Sequence, residues 1–191
     1  MATHLPFEEI QAAVEILRKG GLILYPTDTI WGIGCDACNN EAVQKIYSIK
    51  KRDASKSMLI LAADTNMVDR YVNVFPEIAE ELFDTTDSPL TIILPDARNL
   101  AKDLPADDQS IGIRIPDDLF CEELLRRFRR PIVSTSANFS GEPSPSNFSE
   151  INPDLIEKMD HVANWRQDEQ SGSKASSIIK IDVNGSFKII R

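Results

Sequence analysis

The sequence predicts an α/β domain built on a mixed sheet flanked by helices. Segments of helical and of strand periodicity alternate nearly throughout the 191 residues, the pattern of a layered α/β domain. Asn184-Gly185 between two apolar runs is the strongest short-range hairpin signal in the chain. It requires an antiparallel strand pair, so the sheet cannot be wholly parallel. A chain of this length can bury a substantial core as one domain, 1–191, without disulfides or metals.

The elements follow in order. Ile10, Ala13, Val14 and Leu17 recur at helical spacing between Phe7 and Lys19, and Gly20-Gly21 stops that helix. Leu22 to Tyr25 reads as a short buried strand that ends at Pro26 and opens into a loop starting with Thr27. Asn39 or Asn40 can cap a second helix with Ala42, Val43, Ile46 and Ile49 on its apolar face, which leaves Lys50 and Arg52 at or just past its C-terminus. Met58 to Ala62 is the next strand, and Thr65 to Phe83 divides at Pro76 into two short helices. Leu90 to Leu94 and Ile111 to Ile115 are strand-like. Phe120, Leu124, Leu125 and Phe128 mark a helix within Asp117 to Arg130; Pro131 ends it and Ile132-Val133 opens another strand. Ser177 to Val183 and Phe187 to Ile190 are the arms of the hairpin.

Composition narrows the partners. With 21 Lys+Arg against 30 Asp+Glu the net charge is -9, so the surface as a whole repels nucleic acid and anionic lipid, and a phosphate ligand needs a local basic pocket. Three cysteines do not make a disulfide framework and fit a reducing, cytoplasmic setting. Met1 to Ile10 lacks the basic and apolar regions of a leader, and no window approaches a membrane span.

Absent motifs narrow the chemistry. There is no Walker loop and no complete dinucleotide fingerprint, since Gly32-Ile33-Gly34 lacks the third glycine. No nucleophile elbow surrounds Ser136, and a hydrolase triad would need the fold to bring His161 to it. Cys35 and Cys38 form the one C-x-x-C; without a second pair or a spaced histidine they read as small residues in a turn. No metal site is expected from these residues.

The residues present point to a polyanion site. Lys50, Lys51, Arg52 and Lys56 precede an apolar strand, and guanidinium and ammonium groups at that spacing could grip a polyphosphate. Ser134, Ser136 and Asn138 alternate at period two, which points three small polar groups to one side, suited to ribose, phosphate or a carboxylate. The denser run Arg126-Arg127-Phe128-Arg129-Arg130 surrounds a core residue on the last turn of its helix and reads as a solvated face.

Taken in order, Tyr25-Pro26-Thr27-Asp28-Thr29 with Gly32-x-Gly34, the K-x-R of Lys50 and Arg52, Ser110-x-Gly112-x-Arg114-x-Pro116, the S-x-N of Ser136 and Asn138, and Ser173 to Ile178 give a chain that resembles the YrdC/TsaC family of threonylcarbamoyladenylate synthases, in its short single-domain form. The resemblance runs from about Ile10 to Arg191. It implies a twisted mixed sheet with a concave basic cavity, and a nucleotidyltransferase that converts L-threonine, bicarbonate and ATP, with Mg2+, to threonylcarbamoyl-AMP and pyrophosphate. That is the first step of threonylcarbamoyladenosine formation at tRNA position 37, with separate proteins transferring the group to tRNA.

By the same resemblance Arg52, Lys56, Ser110, Ser136, Asn138, Ser144 and Arg191 line the ATP site, and Thr29, Arg114, Ser134 and Ser176 hold threonine. Lys50 and Arg52 act on the phosphates, and Asn138 orients the nucleotide or its metal. The chain departs from the family pattern in places: Asp53 stands where proline usually follows K-x-R, Thr86 to Thr91 replaces P-G-P-L-T, and Lys56-Ser57 and Leu61 stand where longer relatives have Asn-Pro before the strand and His at its end. The alternatives are an RNA-binding or ribosome-maturation factor using the same cavity, and an inactive paralogue.

Overall fold

The computed structural model describes residues 5–51, 58–169 and 176–191. In chain order the elements are α1 (Phe7–Arg18), β1 (Ile23–Tyr25), β2 (Gly32–Asp36), α2 (Asn40–Lys50), β3 (Leu59–Leu61), α3 (Thr65–Asp69), α4 (Glu77–Thr85), β4 (Leu90–Leu94), β5 (Ile111–Arg114), α5 (Leu119–Phe128), β6 (Ile132–Ser136), a single 3-10 turn (Phe148–Glu150), α6 (Pro153–Ile156), β7 (His161–Val162), β8 (Ser177–Ile181) and β9 (Phe187–Ile189). The strands form one nine-stranded sheet in the order β7-β1-β2-β6-β3-β5-β4-β8-β9. Pairs β1–β7, β3–β5 and β4–β8 are parallel and the others antiparallel, so the sheet is mixed. No helix among the described residues is long and apolar enough to cross a membrane.

Strand periodicity splits the core between the two faces of the sheet. Ile23, Tyr25, Leu61 and Ile132 pack under α1 and α5, against Ile10, Val14, Leu17, Phe120, Leu124 and Phe128. Leu24, Ile33, Cys35, Ile60, Ile92 and Val133 point the other way and meet Val43 and Ile46 of α2, Met67 and Val68 of α3 and Ala79 of α4. Of the two candidate caps for α2, Asn39 is the one used, its side chain accepting from Ala42 N–H at 3.2 Å. Asp118 caps α5 in the same way, accepting from Cys121 N–H at 2.9 Å.

The hairpin is present, with Ile181 opposite Phe187. Its turn is longer than a two-residue one: Gly185 N–H donates to Asp182 C=O at 2.9 Å with Gly185 at φ 79°, the left-handed conformation glycine adopts without strain. The main departure from the sequence reading is β2, which falls where a loop is expected. Its two glycines hide it, and Gly34 is required there by close packing. A Cβ on Gly34 would lie 2.8 Å from both Ile132 Cγ2 and Tyr25 Cε1 and 2.9 Å from Val133 O. The short α6 and β7 carry too few residues for a periodic signal.

Candidate active site

The loop from β1 to β2 is held by its own side chains. Thr27 Oγ1 accepts from Thr29 N–H at 3.0 Å and donates to Ile30 C=O at 2.8 Å. With that proton committed, the 3.0 Å contact between the two threonine hydroxyls is a donation from Thr29 to Thr27. Thr29 Oγ1 in turn accepts from Arg114 Nη1 at 2.7 Å. One ordered chain therefore runs from Arg114 through Thr29 and Thr27 to the Ile30 carbonyl.

Arg114 ends β5 and is buried, and its Nη1 also lies 3.2 Å from Asp28 Oδ1. Burial pushes the Asp28 carboxyl above the ordinary aspartate range, and the guanidinium partly offsets that by favouring the charged form. The pair holds the loop to the sheet at the strand end where the cavity opens.

That cavity has a volume of about 300 Å³, at the small end of ligand pockets. Thr29, Arg114, Ser134 and Ser176, named from four distant segments, meet in its wall, and all four are buried. Ser136, Ser144 and Arg191 line it as well. Arg191 donates through Nε and Nη2 to the Ser176 carbonyl at 3.2 and 2.9 Å, which ties the chain end to the segment entering β8. Among the described lining residues the charged side chains are Arg114 and Arg191, with no carboxylate. The wall is cationic within a chain of net charge -9.

Arg52 and Lys56 lie outside the described residues. Ser110 is buried but does not line the cavity; its hydroxyl donates to Asp108 at 2.5 Å, and Asp108 in turn pairs with Lys180 at 2.6 Å. Lys50 does not extend past the helix end towards a phosphate. It is the last residue of α2, only 2% exposed, and its Nζ donates to Ser136 C=O at 2.5 Å and reaches Asn138 Oδ1 at 3.4 Å.

Asn138 is equally committed. Its Oδ1 accepts from Ser136 Oγ at 2.5 Å, and its Nδ2 donates to the carbonyls of Phe139 and Glu142 at 3.0 and 2.6 Å. Lys50 and Asn138 thus support the Ser136 strand end from behind. Among the described residues the hydrogen bonds of both side chains go to the segment from Ser136 to Glu142.

Thr91, Trp31, Gly112 and Ile178 line the cavity too, and the sequence assigns none of them a binding role. Thr91 was legible in principle, as a polar residue at the off-core position of the alternating Leu90 to Leu94 strand. Its hydroxyl meets Ser176 Oγ at 2.8 Å.

Three of the four arginines of the run have local partners. Arg126 pairs with Glu123 at 2.7 Å and Arg127 at 2.5 Å, Arg127 also lies over the Phe7 ring, and Arg130 pairs with Asp36 at 2.9 Å. This is a helix end with its counter-ions and offers little to RNA. His161 sits on β7 beside Glu9 at 3.5 Å, so no triad forms with Ser136 on β6. Burial raises the thiol pKa of both Cys35 and Cys38, and Cys38 Sγ lies 3.8 Å from Tyr71 Oη. Among the described residues no three His, Cys, Asp or Glu side chains gather to hold a metal.

An open mixed sheet whose strand ends converge hydroxyls and guanidinium groups on one small cavity defines a binder of compact, polar, anionic molecules. A family model described as Sua5_yciO_yrdC, telomere recombination, matches residues 15–191. The chain belongs to this Sua5/YciO/YrdC family.

Relatives agree over most of the length. A Methanocaldococcus jannaschii protein is 37% identical over 180 residues, 92% of this chain and 83% of the relative. The human threonylcarbamoyl-AMP synthase is 34% identical over 189 residues, 96% of this chain and 67% of the relative. The crystal structure of P. abyssi Sua5 complexed with L-threonine matches with a TM-score of 0.84 at 26% identity, covering 95% of this chain and 53% of that one. The chain spans about half the length of that Sua5 protein.

Proposed function

We propose that this protein is a threonylcarbamoyl-AMP synthase, a nucleotidyltransferase that joins L-threonine, bicarbonate and ATP and releases pyrophosphate. The observation that carries the proposal is the meeting of Thr29, Arg114, Ser134 and Ser176 in one buried wall. The names of the human relative and of the Sua5 complex with L-threonine support it.

The amine of threonine adds to the carbon of bicarbonate, water leaves, and a carbamate results. A carbamate oxygen then attacks the α-phosphorus of ATP as the bond to the pyrophosphate oxygen breaks. The carbamate is labile, so the protein's task is to hold it, exclude water and offset charge; no covalent nucleophile is needed.

Arg114, fixed by Asp28 and Thr29, faces the carboxylate of the amino acid. The Thr29, Ser134 and Ser176 hydroxyls recognise its remaining polar groups. Ser136, Ser144 and Arg191 receive the nucleotide, with Arg52 and Lys56 assigned to its phosphates from the sequence resemblance. The described wall offers hydroxyls and guanidinium groups and no carboxylate, so Mg2+ arrives with ATP as part of the substrate. Lys50 and Asn138 shape the Ser136 strand end. On this reading the product passes to proteins that modify tRNA, and the expected setting is the cytoplasm.

The test is direct. Purified protein is incubated with MgATP, bicarbonate and labelled threonine. The expected result is labelled threonylcarbamoyl-AMP with equimolar pyrophosphate, dependent on all three substrates. ATP turnover indifferent to threonine, or no adenylate at all, overturns the proposal.

A further inference from the structure

We infer that Thr91 is a positioning residue for substrate recognition: its hydroxyl holds the Ser176 hydroxyl in the orientation that meets the amino-acid ligand. The inference rests on the synthase reading and adds a residue to it.

Thr91 lies on β4, whose parallel partner is β8, and Ser176 immediately precedes β8. Parallel pairing brings the two side chains to the same wall of the cavity. Thr91 is 2% and Ser176 6% exposed, and their oxygens are 2.8 Å apart.

What the pair offers a ligand follows from counting. Each hydroxyl has one proton and two lone pairs. Among the described residues, the hydrogen-bond partner of the Thr91 hydroxyl is Ser176. Either hydroxyl can donate to the other, and whichever does leaves the second proton facing the cavity, which both residues line. The pair therefore presents one hydroxyl proton to the cavity, with the Ser176 oxygen held in place by Thr91. A donor at that point suits a ligand oxygen of a carboxylate, carbamate or hydroxyl.

The rotamer is fixed too. A Cβ on Gly112 would stand 3.4 Å from Thr91 Cγ2, so the threonine methyl packs against the glycine strand while its hydroxyl faces Ser176. β-Branching allows few alternatives at χ1. The Ser176 backbone is held independently by the Arg191 guanidinium.

The test uses Thr91→Val, which keeps the shape and deletes the hydroxyl, and Thr91→Ser, which keeps the hydroxyl. Threonine and ATP are titrated separately in the pyrophosphate assay, with thermal melting to establish that each variant is folded. Thr91→Val is expected to raise the KM for threonine roughly 5- to 100-fold, the range for one buried hydrogen-bonding group left unpaired, with the KM for ATP little changed. Thr91→Ser should restore the threonine KM. In a Ser176→Ala background Thr91→Val should add little, because the two hydroxyls act as one unit.

A folded Thr91→Val with the wild-type threonine KM overturns the inference alone, and so does a Thr91→Ser as impaired as Thr91→Val. Full additivity with Ser176→Ala does the same if Thr91→Val itself melts early. A wild-type protein that shows no threonine-dependent pyrophosphate release overturns the functional reading and this inference with it.

Discussion

The ammonium of Lys50 donates to the main-chain carbonyl of Ser136 at 2.5 Å, across 86 residues of sequence. It also reaches Asn138 Oδ1 at 3.4 Å, so the end of α2 is fastened to the end of β6 where β6 enters the cavity wall. A buried ammonium held by these acceptors is a structural brace, and its removal takes the charged one of two donors from both the Ser136 carbonyl and the Asn138 amide oxygen.

Lys50→Met is accordingly expected to lose stability, by about 1.5–3 kcal/mol for the lost hydrogen bonding to a charged group, along with activity. Urea denaturation read beside the threonine-dependent pyrophosphate assay checks this. A Lys50→Met protein as stable as wild type but unable to bind ATP would return Lys50 to the role of phosphate ligand.

Lys50 also shows what the sequence could and could not say. Its place at the end of a helix was legible, because Ala42, Val43, Ile46 and Ile49 repeat at helical spacing. Its direction was not, because whether a lysine at a helix end faces solvent, a ligand or a carbonyl 86 residues away depends on tertiary pairing. The alternating hydroxyls of β6 were legible in part: period two is local, and Ser134 and Ser136 do line the same cavity, but Thr135 between them lines it as well and Asn138 does not. Strand β2 stayed hidden because Gly32 and Gly34 carry no strand propensity, and only their neighbours across the sheet explain them. Ser110 was misdirected by Asp108, a partner two residues away whose hold on the hydroxyl no pattern announces.

Gly34→Ala tests the packing of β2. The added methyl would meet Ile132, Tyr25 and the Val133 carbonyl at under 3 Å, and the last of these is backbone that cannot rotate away. Overpacking of this kind costs about 1–3 kcal/mol. The expected outcome is a lower urea midpoint with an unchanged slope. A neutral effect would mean that β1, β2 and β6 pack less closely than described.

Acid stability tests the helix-end ion pairs. Hydrogen bonds from Arg126 and then Arg127 pull the Glu123 carboxyl down from 4.5 to about 2. Hydrogen bonds from Lys180 and then Ser110 pull Asp108 down from 3.8 to about 2. A depressed folded-state pKa contributes stability that is fully present above the unfolded value and lost as pH falls towards the folded one. The window is therefore pH 4.5 down to about 2 for Glu123. Glu123→Gln should be less stable than wild type at pH 7, and the two should converge as pH approaches 2. Urea titrations across that range decide it, and parallel curves at every pH would deny Glu123 this role. Both groups are near the surface, so the difference should shrink in high salt.

The last prediction concerns which amino acid enters the cavity. Its wall is ordered before any ligand arrives: Arg114 donates to Thr29, Thr29 passes its proton to Thr27, and Thr91 is paired with Ser176. Such a wall offers a guanidinium for a carboxylate and fixed hydroxyls for a hydroxyl. A ligand lacking its own hydroxyl leaves those groups buried and unpaired. A ligand lacking only a methyl loses contact but strands no polar atom. The first loss is worth about 10,000-fold or more in kcat/KM and the second roughly 10- to 200-fold. Serine should therefore fall modestly below threonine, and 2-aminobutyrate far below both, when pyrophosphate release is measured at matched concentrations. Arg114→Lys should depress all three together, because a point charge cannot reproduce the fork that meets a carboxylate. If 2-aminobutyrate outperforms serine, the cavity selects by shape, and Thr29, Ser134 and Ser176 are not the groups that read the substrate's hydroxyl.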